Sequence, residues 1–298
     1  MKTITVILAA AIFLFSVNLA HAATEWNAQE YDLYPGDFDG DGKTDILYIA
    51  KDPSMPSGIA RSDGTGPNMA WQSWASNFAG INWSGNAYKV IIGDFDGDGR
   101  ADIFLQSTTP GNSYLLLTSN AGLVVGISQT ISENQFGIVW SADQHRIIAG
   151  DFNGDHKTDL FLQATLLSGA NAIVVSAGGF FVSLNQTWSD GYLGFKWSTV
   201  NANVFAGDFN GDGRADLLVQ AKPTWVTVNF DVPFPVPTYS PNMNGVVLAQ
   251  ATAPIFTAVG AQSWSRMSNG VDWSPLTNNI VIANVLTHSY TKRSETSV

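Results

Sequence analysis

The sequence has 298 residues and no cysteine. That absence excludes disulfide bonds, thiol catalysis, zinc–thiolate sites and iron–sulfur clusters. Charged residues are also scarce, at 13% of the chain, and 25 acidic residues against 14 basic ones give a formal net charge of −11. We therefore expect no nucleic-acid partner, because binding a polyanion needs a positive surface. If the protein is exported, something other than cystine has to hold its fold together.

Long apolar runs are confined to the N-terminus. Lys2 supplies a positive start, residues 4–17 are almost wholly apolar, and residues 20–22 (Ala-His-Ala) form a small-x-small cleavage site. This pattern predicts a signal peptide over residues 1–22 and a secreted protein, either extracellular or periplasmic. A membrane anchor is the alternative reading, but the run is short for a bilayer span. We expect no membrane span in the mature chain, residues 23–298.

Glycine and aromatic residues are abundant, with 28 glycines and 12% aromatics, a composition typical of short strands and turns. An acidic nonamer recurs four times at a constant step of 57 residues, over 37–45, 94–102, 151–159 and 208–216. A tryptophan stands 11 residues before each copy, at Trp26, Trp83, Trp140 and Trp197. Markers that keep one register over four copies indicate a structural unit repeated along the chain.

Each repeat reads as four short strands. In the second unit, residues 114–117 and 123–127 flank a hairpin loop, and in the third unit residues 172–175 and 180–184 do the same. No window has the 3.6-residue period of an amphipathic helix. The repeated four-strand unit predicts an all-β fold, a β-propeller of about five four-stranded blades with four full repeats and a degenerate fifth.

The predicted propeller domain occupies residues 23–298. Its units lie near 26–82, 83–139, 140–196 and 197–272, with a partial unit over 273–298. The fourth unit carries a proline-rich insertion over residues 232–245, which we expect to be an extended, exposed loop. A fifth nonamer would begin at Asn284, where the sequence departs from the pattern. The sequence leaves open whether the ring closes alone, with a second chain, or not at all.

The nonamer Asp-x-(Asp/Asn)-x-Asp-Gly-x-x-Asp presents side-chain oxygens at positions 1, 3, 5 and 9. Carboxylates this close together repel one another unless a cation lies between them, and Ca²⁺ takes roughly six to eight oxygen ligands. Mg²⁺ requires a tighter octahedron, and zinc or copper would require nitrogen or sulfur. We predict about four Ca²⁺ ions, with position 7 (lysine or arginine) contributing its backbone carbonyl. The predicted metal ligands are Asp37, Asp39, Asp41, Lys43, Asp45, Asp94, Asp96, Asp98, Arg100, Asp102, Asp151, Asn153, Asp155, Lys157, Asp159, Asp208, Asn210, Asp212, Arg214 and Asp216.

The acidic nonamer also fits two alternatives to this calcium site. An EF-hand needs a glutamate at position 12 and flanking helices, whereas position 12 here is apolar or aromatic and lies in a strand, so the EF-hand is excluded. The second alternative is that the loops are tight turns with solvated acids. Four copies in the same register favour calcium over this alternative. The loops hold 14 of the 25 acids. Cleavage of the signal removes Lys2, and four Ca²⁺ would bring the mature net charge to about −4.

The third nonamer differs from the others at position 6, where His156 replaces glycine. Position 6 is expected to have a positive φ, which costs a non-glycine residue about 1 kcal/mol. We therefore expect the third loop to be the weakest of the four sites.

With these loops, the sequence resembles the FG-GAP/VCBS repeats of integrin-α-like β-propellers over residues from about 26 to 283. The Phe-Gly pair is present at residues 136–137, but no Gly-Ala-Pro triplet appears, so the chain looks more like the bacterial secreted branch. The resemblance implies calcium bound by the acidic positions of each nonamer. Similar repeats occur beside toxin components, in adhesins and in some fungal lectins, usually in propellers of seven blades.

The sequence gives little support for catalysis. The mature chain has three histidines without metal-ligand spacing, and it lacks hydrolase and phosphate-loop motifs. We therefore expect a non-enzymatic, calcium-binding module for a protein or glycan on a cell surface, as an adhesin or a toxin-associated component. A carbohydrate-binding lectin is the alternative, and a polysaccharide-degrading enzyme is a third reading.

The tryptophans divide into two groups. Those in the 57-residue register are expected to pack in the core, because a position shared by every blade is more often structural. The others are the better candidates for a binding surface: Trp71, Trp74, Trp188, Trp225 and Trp264.

Overall fold

The computed structural model describes most of the chain between residues 27 and 272. The described residues are 27–65, 67–83, 85–119, 124–222, 224–228, 234–238, 244–252, 255–257, 262–264, 267–268 and 271–272. The predicted signal peptide, Trp26 and the predicted partial fifth unit lie outside them. No helix among the described residues is long and apolar enough to cross a membrane.

The described chain forms four antiparallel sheets of four strands each, one for each nonamer. The strands are β1 (Tyr31–Gly36), β2 (Asp45–Ala50), β3 (Ser57–Ser62), β4 (Pro67–Trp74), β5 (Tyr88–Gly93), β6 (Asp102–Ser107), β7 (Ser113–Thr118), β8 (Val124–Ile131), β9 (His145–Gly150), β10 (Asp159–Ala164), β11 (Asn171–Val174), β12 (Gln186–Trp188), β13 (Ala202–Gly207), β14 (Asp216–Ala221), β15 (Thr224–Val228), β16 (Phe234–Thr238), β17 (Asn244–Val247), β18 (Gln262–Trp264), β19 (Met267–Ser268) and β20 (Val271–Asp272). Blades 1 to 3 are meanders of four consecutive strands, and blade 4 has the order β13-β14-β17-β18. The predicted all-β fold of four-stranded blades is confirmed.

The blades are arranged in chain order around their first strands. β1 lies next to β5, β5 next to β9, and β9 next to β13. The other strands of each blade follow outward from these, as in a propeller. The described residues form an open array of four blades rather than a closed ring.

Each junction between neighbouring blades contains its own apolar core. The phenylalanine at position 2 of each of the first three nonamers is fully buried there: Phe38, Phe95 and Phe152. The fourth, Phe209, is 43% exposed, and no following blade covers it within the described part of the chain. The position-2 phenylalanines therefore belong to the interface with the next blade.

A glutamine on the fourth strand of each of blades 1 to 3 also joins that blade to the next one. The glutamine Nε2 donates to the carbonyl of one residue in the next blade, and the glutamine Oε1 accepts from the N–H of the same residue. The N···O distances are 2.7–2.8 Å. The pairs are Gln72 with Val124, Gln129 with Phe181, and Gln186 with Phe256. These three residues, called the clasp glutamines below, follow one another at the 57-residue step.

The register tryptophans lie in the core, as predicted. Trp83, Trp140 and Trp197 are at most 3% exposed. Each indole Nε1 donates to the first carbonyl of a short 3₁₀ turn that precedes it, at 3.0, 2.9 and 2.8 Å. Because both the ring and its N–H are used internally, these side chains are structural.

Two tryptophans expected on the surface are instead buried, so that prediction is wrong for them. Trp74 and Trp188 are 6% and 5% exposed, and their rings lie 5.0 and 5.3 Å from those of Trp83 and Trp197. They end the fourth strands of blades 1 and 3, where blade 2 has the buried Ile131. Trp71 is 39% exposed. The side chains of Trp225 and Trp264 lie outside the described residues.

The fourth strand of blade 3 was predicted in the wrong place. Residues 180–184 form only an isolated bridge, Ser176 with Phe181, and the strand lies at Gln186–Trp188. The side-chain oxygen of Asn185 accepts the Val175 N–H at 2.8 Å, in place of a backbone ladder bond. A side chain that competes with the ladder in this way shifts the strand along the chain.

The insertion of blade 4 is also more regular than expected. Instead of an extended loop, β15 and β16 form an antiparallel hairpin between the second and third strands of the blade. Pro235 and Pro237 occupy alternate positions of β16. A two-stranded hairpin has only edge strands, and proline can occupy an edge strand without breaking the ladder.

Candidate metal centre

Each nonamer forms the turn between the first and second strands of its blade; the four copies are called loops 1 to 4 in chain order. In loop 1, the Asp37 carboxylate accepts the backbone N–H groups of Gly40, Asp41 and Gly42 at 2.8, 3.2 and 2.8 Å. The same three bonds form in the other loops. The position-1 aspartate therefore organises the loop that follows it.

Position 6 has the positive φ that the sequence predicted. Gly42, Gly99 and Gly213 have φ of 82°, 86° and 85°, and His156 has a φ of 66°. The His156 N–H still donates to Asp151, at 2.8 Å. Loop 3 thus keeps the shape of the others while holding a non-glycine residue in the left-handed region, which is strained.

The position-9 aspartate opens the second strand of each blade and is buried. One oxygen of Asp102 accepts the N–H of Phe95 at 2.9 Å, and the other accepts that of Thr118 at 2.8 Å. The three other blades repeat this pair of bonds at 2.8–3.1 Å. The position-9 carboxylate therefore fixes the loop to the third strand of its own blade.

Burial of these carboxyls makes their charged forms unfavourable. Desolvation raises the pKa of Asp102 to about 7 and that of Asp159 to about 8, and it also raises the pKa values of Asp45 and Asp216. The nearby loop aspartates raise the pKa values further. A divalent cation among these oxygens would compensate the buried negative charge.

Carboxylate oxygens converge at positions 1, 3 and 9. Asp37, Asp39 and Asp45 each offer an oxygen within 4.8 Å of the others, and so do Asp94, Asp96 and Asp102. Among the described residues these are the groups of three or more His, Cys, Asp or Glu side chains that could hold a metal. Loops 3 and 4 have an asparagine at position 3, a neutral oxygen donor. An all-oxygen donor set of this kind fits Ca²⁺.

The position-5 aspartates point to a different partner. In every loop this carboxylate pairs with the basic side chain at position 7, as in Lys157 Nζ to Asp155 at 3.0 Å. In loop 1, the guanidinium of Arg61 also pairs with Asp39. Metal binding by position 5 and by the position-7 carbonyls therefore stays a prediction. The role of Arg61 has no signal in the sequence, since the corresponding residues of the other blades are apolar.

A family model for the FG-GAP-like repeat matches the chain three times, over residues 37–105, 94–162 and 151–219. Each match begins at the first aspartate of a loop and ends in the second strand of the next blade. Together the matches cover more than half of the sequence. The chain belongs to the FG-GAP-like repeat family. The repeat deduced from the acidic nonamers is therefore this family's repeat.

Among solved structures, this FG-GAP protein is similar to a lectin from Agrocybe aegerita, whose description gives specific recognition of non-reducing terminal N-acetylglucosamine. The TM-score is 0.55 at 19% sequence identity, and the match covers 85% of this chain and 57% of the lectin chain. A likeness at this identity concerns the fold alone. No curated protein sequence matches the chain.

Proposed function

We propose that the protein is a secreted, calcium-binding β-propeller that acts as a binding module for a protein or cell surface. The observation that carries the proposal is the convergence of buried and half-buried carboxylates in loops 1 and 2, on a backbone that loops 3 and 4 repeat. In a chain without cysteine, cations at these loops would supply the cross-links that exported proteins often obtain from disulfides.

The described loops suit calcium in two respects. Positions 1, 3 and 9 would hold the ion through side-chain oxygens, and the bound ion would neutralise carboxylates that burial leaves unfavourably charged. The backbone N–H groups that already bond to positions 1 and 9 orient these carboxylates before any ion binds. A pre-organised donor set lowers the ordering cost of binding.

Several acids outside the loops have structural roles, as expected for a binding module. Asp52 and Asp63 accept bonds within their own turns. Glu133 bonds to Ser141, and Asp190 bonds to the backbone of Trp197. These four acids stabilise turns within the described part of the chain. An adhesin or a toxin-associated component is the role we propose.

Binding of the labelled mature chain to intact cells tests this role. The assay compares calcium buffer with chelator, and compares untreated cells with cells treated with protease or with periodate, which oxidises glycans. Calcium-dependent binding that protease abolishes would support a protein partner. Failure to bind any tested cell type in calcium buffer would contradict the proposal.

A lectin is the second candidate, favoured by the similar lectin structure and by Trp71. The indole of Trp71 is 39% exposed, and the Arg61 guanidinium lies 5.0 Å from its ring centroid. An exposed indole can stack on the apolar face of a sugar. A glycan array in calcium buffer tests this candidate, with Trp71→Ala expected to lose binding and the exposed Val200→Ala to retain it. A uniformly silent array would exclude the lectin.

A further inference from the structure

Consecutive loops are joined to each other by a repeated backbone hydrogen bond. The N–H at position 8 of each loop donates to the carbonyl at position 1 of the loop before it. The bonds are Ala101 to Asp37 at 2.7 Å, Thr158 to Asp94 at 2.6 Å, and Ala215 to Asp151 at 2.6 Å. The position-8 residue immediately precedes the buried position-9 aspartate. The four candidate sites therefore form a connected series along the propeller.

Loops 2 and 3 share a second connection, through Ser176. The Ser176 hydroxyl donates to the Phe95 carbonyl at 2.5 Å, while the Ser176 N–H donates to Asp159 at 2.8 Å. The N–H of Phe95 in turn donates to Asp102, at 2.9 Å. Two residues thus link the position-9 carboxylates of neighbouring loops, and all four residues are buried.

The equivalent residues of blades 2 and 4 do not provide this link. Thr118 uses its hydroxyl within its own blade, where it donates to the Ala101 carbonyl at 3.0 Å. Ala249 has no hydroxyl, although its N–H donates to Asp216 at 2.8 Å. The serine hydroxyl is therefore a specific addition to the junction of loops 2 and 3, and alanine is compatible with the same backbone position.

We propose that Ser176 couples the metal sites of loops 2 and 3, so that a divalent cation bound at one raises the affinity of the other. This inference rests on the proposed calcium binding. A cation in loop 2 fixes Asp102, and the hydrogen bonds through Phe95 and Ser176 then restrict Asp159 before loop 3 is filled. The second ion meets a smaller ordering cost, and thermodynamic linkage makes the effect equal in both directions.

The test is a calcium titration followed by hydrogen–deuterium exchange, which reports the protection of each loop separately. Asp94→Ala disables loop 2, and we expect it to raise the calcium midpoint of loop 3 by roughly five-fold. The same substitution in a Ser176→Ala background should raise that midpoint much less. Ser176→Thr, which keeps a hydroxyl, should restore the dependence.

Thr108→Val is the control, because it removes a threonine hydroxyl of blade 2 that donates to the carbonyls of Asn86 and Ala87, away from loops 2 and 3. It should leave the response of loop 3 to Asp94→Ala unchanged. The coupling would be overturned if Asp94→Ala left the calcium midpoint of loop 3 unchanged. It would also be overturned if Asp94→Ala raised that midpoint by the same factor with and without Ser176→Ala. Either result would leave calcium binding itself intact. No calcium protection in any loop would overturn the proposed function and the coupling together.

Discussion

The blades of this protein are joined by two chemically different devices. At the loops, neighbouring blades meet through backbone hydrogen bonds next to buried position-9 aspartates. Desolvation raises the pKa values of these aspartates, to about 7 for Asp102 and about 8 for Asp159. At the fourth strands, they meet through neutral clasp glutamines such as Gln129, which satisfies both backbone groups of Phe181.

The difference determines which junction responds to solution conditions. A glutamine paired with a backbone N–H and C=O carries no charge, so this pairing does not depend on pH or on bound ions. A buried carboxylate cluster is stable only when it holds protons or a cation. We therefore expect the loops to make the fold dependent on ions, and the clasps to supply a constant contribution.

Removal of calcium should have the largest effect. An ion at about 100 times its dissociation constant stabilises the folded state by about 2.7 kcal/mol per site, which corresponds to several degrees in melting temperature. Thermal denaturation in calcium and in chelator measures this, with magnesium at the same concentration as a control expected to shift the temperature less. An unchanged melting temperature in chelator would contradict the metal assignment.

The effect of calcium should increase with pH. In the metal-depleted protein, the raised pKa values of Asp102 and Asp159 mean that the folded chain holds protons that the unfolded chain has released. Stability conferred by these protons is therefore lost as the pH rises from about 4 to about 8. Calcium replaces the protons, so the difference in melting temperature with and without calcium should be larger at pH 8 than at pH 5. A constant difference would exclude this competition.

Gln129→Leu should destabilise the protein by about 2–3 kcal/mol, because it leaves the N–H and C=O of Phe181 without their partner. Since the clasp involves no ion, the loss should be the same with and without calcium in urea denaturation. Gln29→Leu, at an exposed glutamine before β1, is the control and should change stability by less than about 0.5 kcal/mol. If Gln129→Leu lost its destabilising effect in chelator, the clasp glutamines would depend on ions as the loops do, and the distinction between them would be wrong.

His156→Gly should have the smallest effect, a gain of about 1 kcal/mol from relief of the strained φ of 66°. Loop 3 should also bind calcium several-fold more tightly in this variant. The reciprocal change, Gly99→His in loop 2, should reduce stability and loop 2 affinity by similar amounts. Equal affinities of all four loops in the unmodified protein would contradict the ranking.

The local structure of the loops could be predicted from the sequence. Aspartates and glycines at fixed spacing determine a short turn through bonds within nine residues, so the loop's backbone conformation and its strained histidine followed from the pattern. The burial of Trp140 in the core could also be predicted, because a residue that recurs at the same position of every repeat usually has a structural role. Ligation by positions 5 and 7 stays a prediction, since Asp155 pairs with Lys157 in this structure.

The contacts between blades were not predictable in the same way. The clasp glutamines have a visible sequence signal, since Gln262 continues their register after the insertion, but nothing local identifies their backbone partners. The second set of buried tryptophans was missed because blade 2 has Ile131 at that position. The strand shift in blade 3 depends on Asn185, whose bond to Val175 exists only once the blade has formed.

The sequence by itself determined the repeat, the strand count of each blade and the acidic turns, because all three depend on interactions within a few residues. Only the tertiary structure decided which tryptophans are buried, which backbone groups the clasp glutamines bind and that Ser176 links loops 2 and 3. Those features depend on contacts between residues of neighbouring blades, and their pairing is set by how the sheets pack.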